Sequence, residues 1–427
     1  MSDLCCLNTW GLNGVHSRSI HTPALVVSDC LRGGGLLFVE PPIHRMGHPS
    51  DRHCADRQNE RRVRERVRLA RACALAAGIL AGLVAGVTAV AGGSDAKDTL
   101  HVRAFELPRY SEFLSAETRS GMARYAALLE RAHRVCDPAT KSTGPELRAC
   151  EARMSVPLLE EALKAYDVTI TPMVIDGIHT DVVTPAEGVP SDRAKRVLIN
   201  VHGGGFRYNS GFGGKLEAMP LAAIGKYKVV TVDYRMEPEH SYPTASDDVI
   251  AVYKRLLQEY EPTNIGLYGC SAGARIIGQA LAWISYEKLP RPGAVALLCS
   301  SPMPYGGDSH IAVAALQGTE PRVRRFDGGY FKNVDPRDPL AFPADSNEVL
   351  GRFPPTLLMT STRDFTLSAM VTMHSRLINL GVPTELHVFE GLGHGEILNW
   401  YIPESRQAAN RVAAFFGRHL GASTTAE

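Results

Sequence analysis

Excess charge is almost absent from this chain: 46 Lys and Arg face 45 Asp and Glu, leaving +1 over 427 residues. A surface so balanced has no electrostatic footprint for nucleic acid, and no nucleic-acid partner is expected. Aromatic residues make up only 7%, and all but one stretch lack an apolar run long enough to cross a bilayer. There is no repeat of fixed period and no low-complexity linker. G-x-G-x-x-G and the Walker lysine are missing as well, which argues against a nucleotide-binding glycine loop. What is present is 44% hydrophobic residues against 21% charged, enough for a large core. A disordered or collagen-like chain is thereby excluded.

The first 60 residues hold Cys5, Cys6, Cys30 and Cys54 with Gly33, Gly34 and Gly35 but no sustained period of 2 or 3.6. No structure is expected over 1–60. Arg61, Arg62, Arg64, Arg66, Arg68 and Arg71 follow, opposed only by Glu65, and Ala72 to Ala91 is then free of charge. A basic region, an apolar run and Ala89-Val90-Ala91 ahead of Gly92-Gly93 read as an export signal over 61–91. The run is also about long enough to span a bilayer, so a retained anchor giving membrane association stays open. Either reading puts the body of the chain outside the cytoplasm, periplasmic or secreted if the signal is cleaved. Because a signal starts close to its basic region, Met46 is a candidate for the true start. Cleavage would leave Cys136, Cys150, Cys270 and Cys299. Cys136 and Cys150 flank a short loop between two helical patterns and form a candidate disulfide, worth roughly 3 kcal/mol for a loop of about 15 residues. Two unpaired thiols on helix ends are the alternative.

From about Lys164 the punctuation becomes regular. Tyr166 to Ile175 and Val182 to Thr184 read as an early strand pair. Arg196 to Val201, Lys228 to Val232, Asn264 to Tyr268, Ala294 to Cys299, Thr356 to Thr360 and Glu385 to Phe389 are short apolar runs of buried-strand type. Helical spacing marks Thr244 to Tyr260, Ala272 to Tyr286 and Glu404 to His419. Buried strands alternating with helices imply an α/β fold with a mainly parallel sheet covered on both faces. Two amphipathic patterns, Ser115 to Val135 and Pro145 to Ala165, stand outside the alternation. They are expected to form a helical cap over 105–165, ahead of a body over 166–420.

The chemistry is concentrated at strand ends. Gly269-Cys270-Ser271-Ala272-Gly273 fits G-x-S-x-G and lies directly between a strand and a helix, where a tight elbow must form. Such an elbow holds the Ser271 hydroxyl clear of the sheet and aims the Ala272 amide at developing negative charge. His202-Gly203-Gly204-Gly205-Phe206 follows an earlier strand; Gly203 and Gly204 are expected to donate their N–H groups beside Ala272. Losing one such donor costs roughly 3 to 4 kcal/mol of barrier in a comparable site. His202 is expected to be structural, and Phe206, Arg207 and Tyr208 are candidates for substrate contact. A serine hydroxyl needs a base, and His394 in Gly391-Leu392-Gly393-His394-Gly395 follows the last strand. Asp364, after the preceding strand, completes the set by fixing the imidazole tautomer. Asp335 and Asp338 precede that strand and read as loop carboxylates. Cys270, beside the nucleophile, reads as a small buried filler.

These motifs together resemble the hormone-sensitive-lipase-like branch of the α/β-hydrolases, the bacterial esterases with an HGGG loop. VDYRMEPEHSYPTASDD, STRDFTLS and HVFEGLGHG add to the likeness, which covers about Tyr166 to His419 and the two helices before it. The resemblance implies an eight-stranded, mostly parallel sheet with helices on both faces and an N-terminal helical cap. It implies hydrolysis of a small-molecule or lipid carboxylic ester, with no metal and no cofactor, by Ser271, Asp364 and His394. The chain departs from the family at Cys270, where Asp is frequent, at Ala274, where a further Gly is frequent, and at Ser368, where a second acid is common. A lactonase or amidase would use the same triad. The non-catalytic receptors on this fold, such as the plant gibberellin receptor, lack the catalytic histidine that is present here as His394.

Overall fold

The computed structural model describes residues 106–316 and 329–421. The expectations for 1–60 and for a signal or anchor over 61–91 lie outside the described residues. Among the described residues no helix is long and apolar enough to cross a membrane.

Eight strands form one sheet: β1 Val168–Ile175, β2 Ile178–Pro185, β3 Val197–Val201, β4 Lys228–Val232, β5 Ile265–Cys270, β6 Ala294–Leu298, β7 Thr356–Arg363 and β8 Thr384–Gly393. Their spatial order is β1-β2-β4-β3-β5-β6-β7-β8. β2 runs against both its neighbours, and from β4 to β8 every pairing is parallel. The parallel strands carry apolar side chains on both faces because both faces are covered. Ile199, Val201, Ile265, Leu267, Val295 and Leu297 pack on one side under helices Thr244–Leu256, Ala272–Tyr286 and Leu367–Asn379. Leu198, Val229, Tyr268, Ala296, Leu357 and Met359 pack on the other, under helices Gly213–Ala223 and Pro403–His419.

Several bounds differ from the sequence reading. β2 is longer than Val182 to Thr184, because Asp176 and Gly177 both take positive φ and close a two-residue hairpin directly after β1. β8 runs on to Gly393, past Phe389, and shifts register against β7 between Ser361 and Arg363. The helix Gly213–Ala223 is hidden in the sequence by two glycines at its start and Pro220 within it.

The two helices ahead of the sheet are Ala116–Val135, capped by the Ser115 hydroxyl on the Thr118 amide, and Gly144–Ala165. Leu128, Ala132, Met154 and Leu158 join them to each other and to Phe212, Trp400 and Tyr401 of the body. Cys136 and Cys150 are bonded, with Cα atoms 5.4 Å apart, so the bridge ties the end of the first helix to the early turns of the second.

Candidate active site

The site is assembled at the C-terminal ends of β3, β5, β7 and β8. After β5 the chain turns sharply at Ser271, whose φ of 56° and ψ of −119° lie outside the regions non-glycine residues favour. Helix Ala272–Tyr286 starts at the next residue. The turn passes so close to β3 that a Cβ on Gly269 would stand 2.0 Å from the Val201 carbonyl oxygen, and one on Gly273 1.8 Å from it. Glycine stands at both places because there is no room for a side chain.

β8 delivers His394 to the same point. Its Nε2 lies 2.9 Å from Ser271 Oγ and its Nδ1 2.9 Å from Asp364 Oδ1. Asp364 is 1% exposed and is held by the Thr366 amide at 2.9 Å, with the Thr366 hydroxyl also 2.9 Å from Oδ1 and the Thr360 hydroxyl 3.3 Å from Oδ2. A carboxylate so fixed leaves its remaining affinity for one donor, the imidazole N–H, and thereby selects the tautomer that presents a lone pair to Ser271. Phe365 covers the imidazole at 4.5 Å between ring centres. Asp335 pairs with Arg337 at the surface and Asp338 caps the Leu340 amide, so both are loop carboxylates as expected.

The glycine loop needs one correction. Gly203 does not face the site, because its N–H is donated to the buried Glu217 carboxylate at 2.8 Å. Among the described residues the N–H groups of Gly204, Gly205 and Ala272 have no protein acceptor. Glu217, on helix Gly213–Ala223, also accepts from Asn200 at 3.1 Å and from the Cys270 amide at 3.3 Å. One carboxylate thus joins the glycine loop to the elbow, and burial pushes its pKa up. Sequence reasoning missed it; the only signal was a single acid in the GGKLEAMPLAA stretch.

Of the three residues after the glycines, Phe206 is turned into the core. Phe206 is buried, stacked on Tyr330 at 5.0 Å and edge-on to Phe331 at 5.1 Å, so it anchors the loop in the core. Arg207 reaches the Lys141 carbonyl between the cap helices at 3.2 Å, and Tyr208 turns back on Gly204 through its amide. His202 is structural as expected: it is buried, stacked on Tyr234 at 4.4 Å, and within 2.7 Å of the Gly203 carbonyl. Cys270 is buried beside Cys299, as expected of a small filler, and burial pushes its thiol well up.

A hydroxyl, an imidazole and a buried carboxylate in line, on the elbow and strand ends of this sheet, define a serine-hydrolase geometry on the α/β-hydrolase fold. Residues 198–398 match the family described as alpha/beta hydrolase fold. The chain is 30% identical over 256 residues to an acetyl-hydrolase of Streptomyces hygroscopicus, covering 56% of this chain and 83% of the relative. It is 23% identical over 273 residues to an esterase of Acinetobacter venetianus, covering 61% and 86%. A solved esterase superposes with TM-score 0.64 at 29% identity, over 76% of this chain and all of that one. An esterase from the bacterial hormone-sensitive lipase family superposes with TM-score 0.58 at 24% identity, over 69% and 99%. The chain belongs to the α/β-hydrolase family. It is a carboxylic ester hydrolase.

Proposed function

We propose that this ester hydrolase works through an acyl-enzyme on Ser271. His394 Nε2 removes the hydroxyl proton as Ser271 Oγ attacks the ester carbonyl, and the Asp364 carboxylate stabilises the imidazolium that results. The carbonyl oxygen, now an anion, is held by the N–H groups of Gly204, Gly205 and Ala272. His394 returns its proton to the departing alcohol, and water then attacks the acyl-enzyme with the roles reversed. The observation that carries this reading is the unbroken line from Ser271 Oγ through His394 to Asp364, with both separations 2.9 Å.

The acetyl-hydrolase relative makes acetyl and butyryl esters the first substrates to assay. Ser271→Ala is expected to abolish hydrolysis of p-nitrophenyl butyrate while leaving the circular-dichroism spectrum and melting transition in place. Turnover at the wild-type rate would refute the assignment. Export is proposed as well; the Cys136–Cys150 bridge, a bond that persists in oxidising compartments, supports it. N-terminal sequencing of the protein from its native host tests this, and peptides from before Met46 would remove the proposed start.

A further inference from the structure

The loop that follows Gly205 is gripped from outside the sheet. Helix Gly144–Ala165 carries Arg148 and Glu151, which pair with each other and both reach the backbone of this loop. Glu151 is 1% exposed; one of its oxygens accepts the N–H of Asn209, and the other lies 2.9 Å from Arg148 Nη1. Arg148 donates in turn to the carbonyl of Arg207 at 2.6 Å and to that of Glu237 at 2.8 Å, and meets the Glu239 carboxylate at 3.1 Å. One ion pair therefore holds both ends of the short segment from Arg207 to Asn209.

That segment is folded back on the oxyanion loop. The Gly204 carbonyl accepts the N–H of Arg207 at 3.1 Å and of Tyr208 at 2.9 Å, and the Asn209 side-chain amide donates to the Gly203 carbonyl at 3.2 Å. A displacement of Asn209 is thus passed to the peptide planes that carry the donors. A buried carboxylate is costly unless it is well paired, and here its partners are one arginine and one main-chain amide of that loop. Cys150 stands between Arg148 and Glu151, and its bond to Cys136 fixes this part of the helix on the end of the helix before it.

We propose that Glu151, supported by Arg148 and kept in place by the Cys136–Cys150 bridge, is a positioning residue that aims the Gly204 and Gly205 amides. The inference rests on the serine-esterase reading of the site. It makes the cap a part of the oxyanion machinery rather than only a cover.

The test compares wild type with Glu151→Leu and Glu151→Gln in the full chain, by two readouts. The first is hydrogen exchange of peptides covering residues 203–212 without substrate. The second is kcat and KM for p-nitrophenyl butyrate. Glu151→Leu should exchange faster over 203–212 and lose kcat by roughly 10- to 100-fold, the scale of a small misplacement of catalytic groups. KM should stay within about twofold, because the oxyanion forms only in the transition state. Glu151→Gln keeps an oxygen for the Asn209 amide and should recover most of the loss. Opening the bridge by Cys136→Ala with Cys150→Ala should shift both readouts in the same direction. If Glu151→Leu does not fold, Arg148→Met, which removes the bonds to the Arg207 and Glu237 carbonyls, takes its place. Unchanged exchange over 203–212, or an unchanged kcat in folded protein, would overturn the proposal. A wild type without esterase activity would instead overturn the function, and the exchange readout would still decide the positioning.

Discussion

His202 and Asp233 illustrate how residues that take no part in the chemistry hold it in place. Their side chains are 3.8 Å apart, with the histidine behind the glycine loop and Asp233 also accepting the Gly211 amide at 3.0 Å. Burial acts to lower the histidine's pKa, but Asp233 and the Gly203 carbonyl outweigh it, and the net shift is upward from 6.5. Burial acts to raise the Asp233 value, yet the pairing with His202 outweighs it, and the net shift is downward from 3.8. A raised histidine adds stability that is complete below its unfolded pKa and is lost as pH rises through the folded one. A depressed carboxylate adds stability that is complete above its unfolded pKa and is lost as pH falls through the folded one. The pair therefore stabilises most between about pH 4 and pH 6.5. Asp233→Asn is expected to lower Tm more at about pH 5.5 than at about pH 9, because the pair's contribution is lost as pH rises through the histidine's folded value. Equal losses at the two pH values, measured by thermal melting, would show that the pair is not ionic.

At the level of elements, the elbow depends on how closely β5 and its helix cross β3. The Val201 carbonyl oxygen lies where a Gly273 methyl group would be, at 1.8 Å, and no flexible side chain can give way there. Gly273→Ala is expected to destabilise by about 3 kcal/mol or more in urea unfolding, the upper range of overpacking costs. Gly351→Ala, with nothing within 4 Å of the added carbon, should stay within roughly 0.5 kcal/mol. Similar midpoints for the two variants would contradict the close crossing. This crossing was legible in the sequence because G-x-S-x-G between a strand and a helix allows few geometries. The direction of individual amides was not. Gly203 and Gly204 are adjacent glycines, and only the position of Glu217, fourteen residues on from Gly203, shows that the first is turned inward. Phe206 was likewise read as a substrate contact because it follows the loop, whereas its positive φ of 65° sends it down among Tyr330 and Phe331. Long-range partners of this kind leave no periodic trace in the chain.

Across the whole molecule, the parallel sheet gathers at one edge what the chain keeps far apart. Ser271 and His394 are separated by 123 residues, and His394 and Asp364 by 30. Strand alternation made that convergence predictable, since successive parallel strands all end on the same side. The cap grips the glycine loop from outside, and helix Gly213–Ala223 holds it from within through Glu217. The central claim is that these supports serve one nucleophile. Labelling with diethyl p-nitrophenyl phosphate, followed by peptide mass spectrometry, tests it most directly. One diethylphosphoryl group is expected on Ser271, with none on the neighbouring Cys270 and far slower labelling in His394→Ala. Labelling of another residue, or labelling of Ser271 at an undiminished rate without His394, would contradict the account.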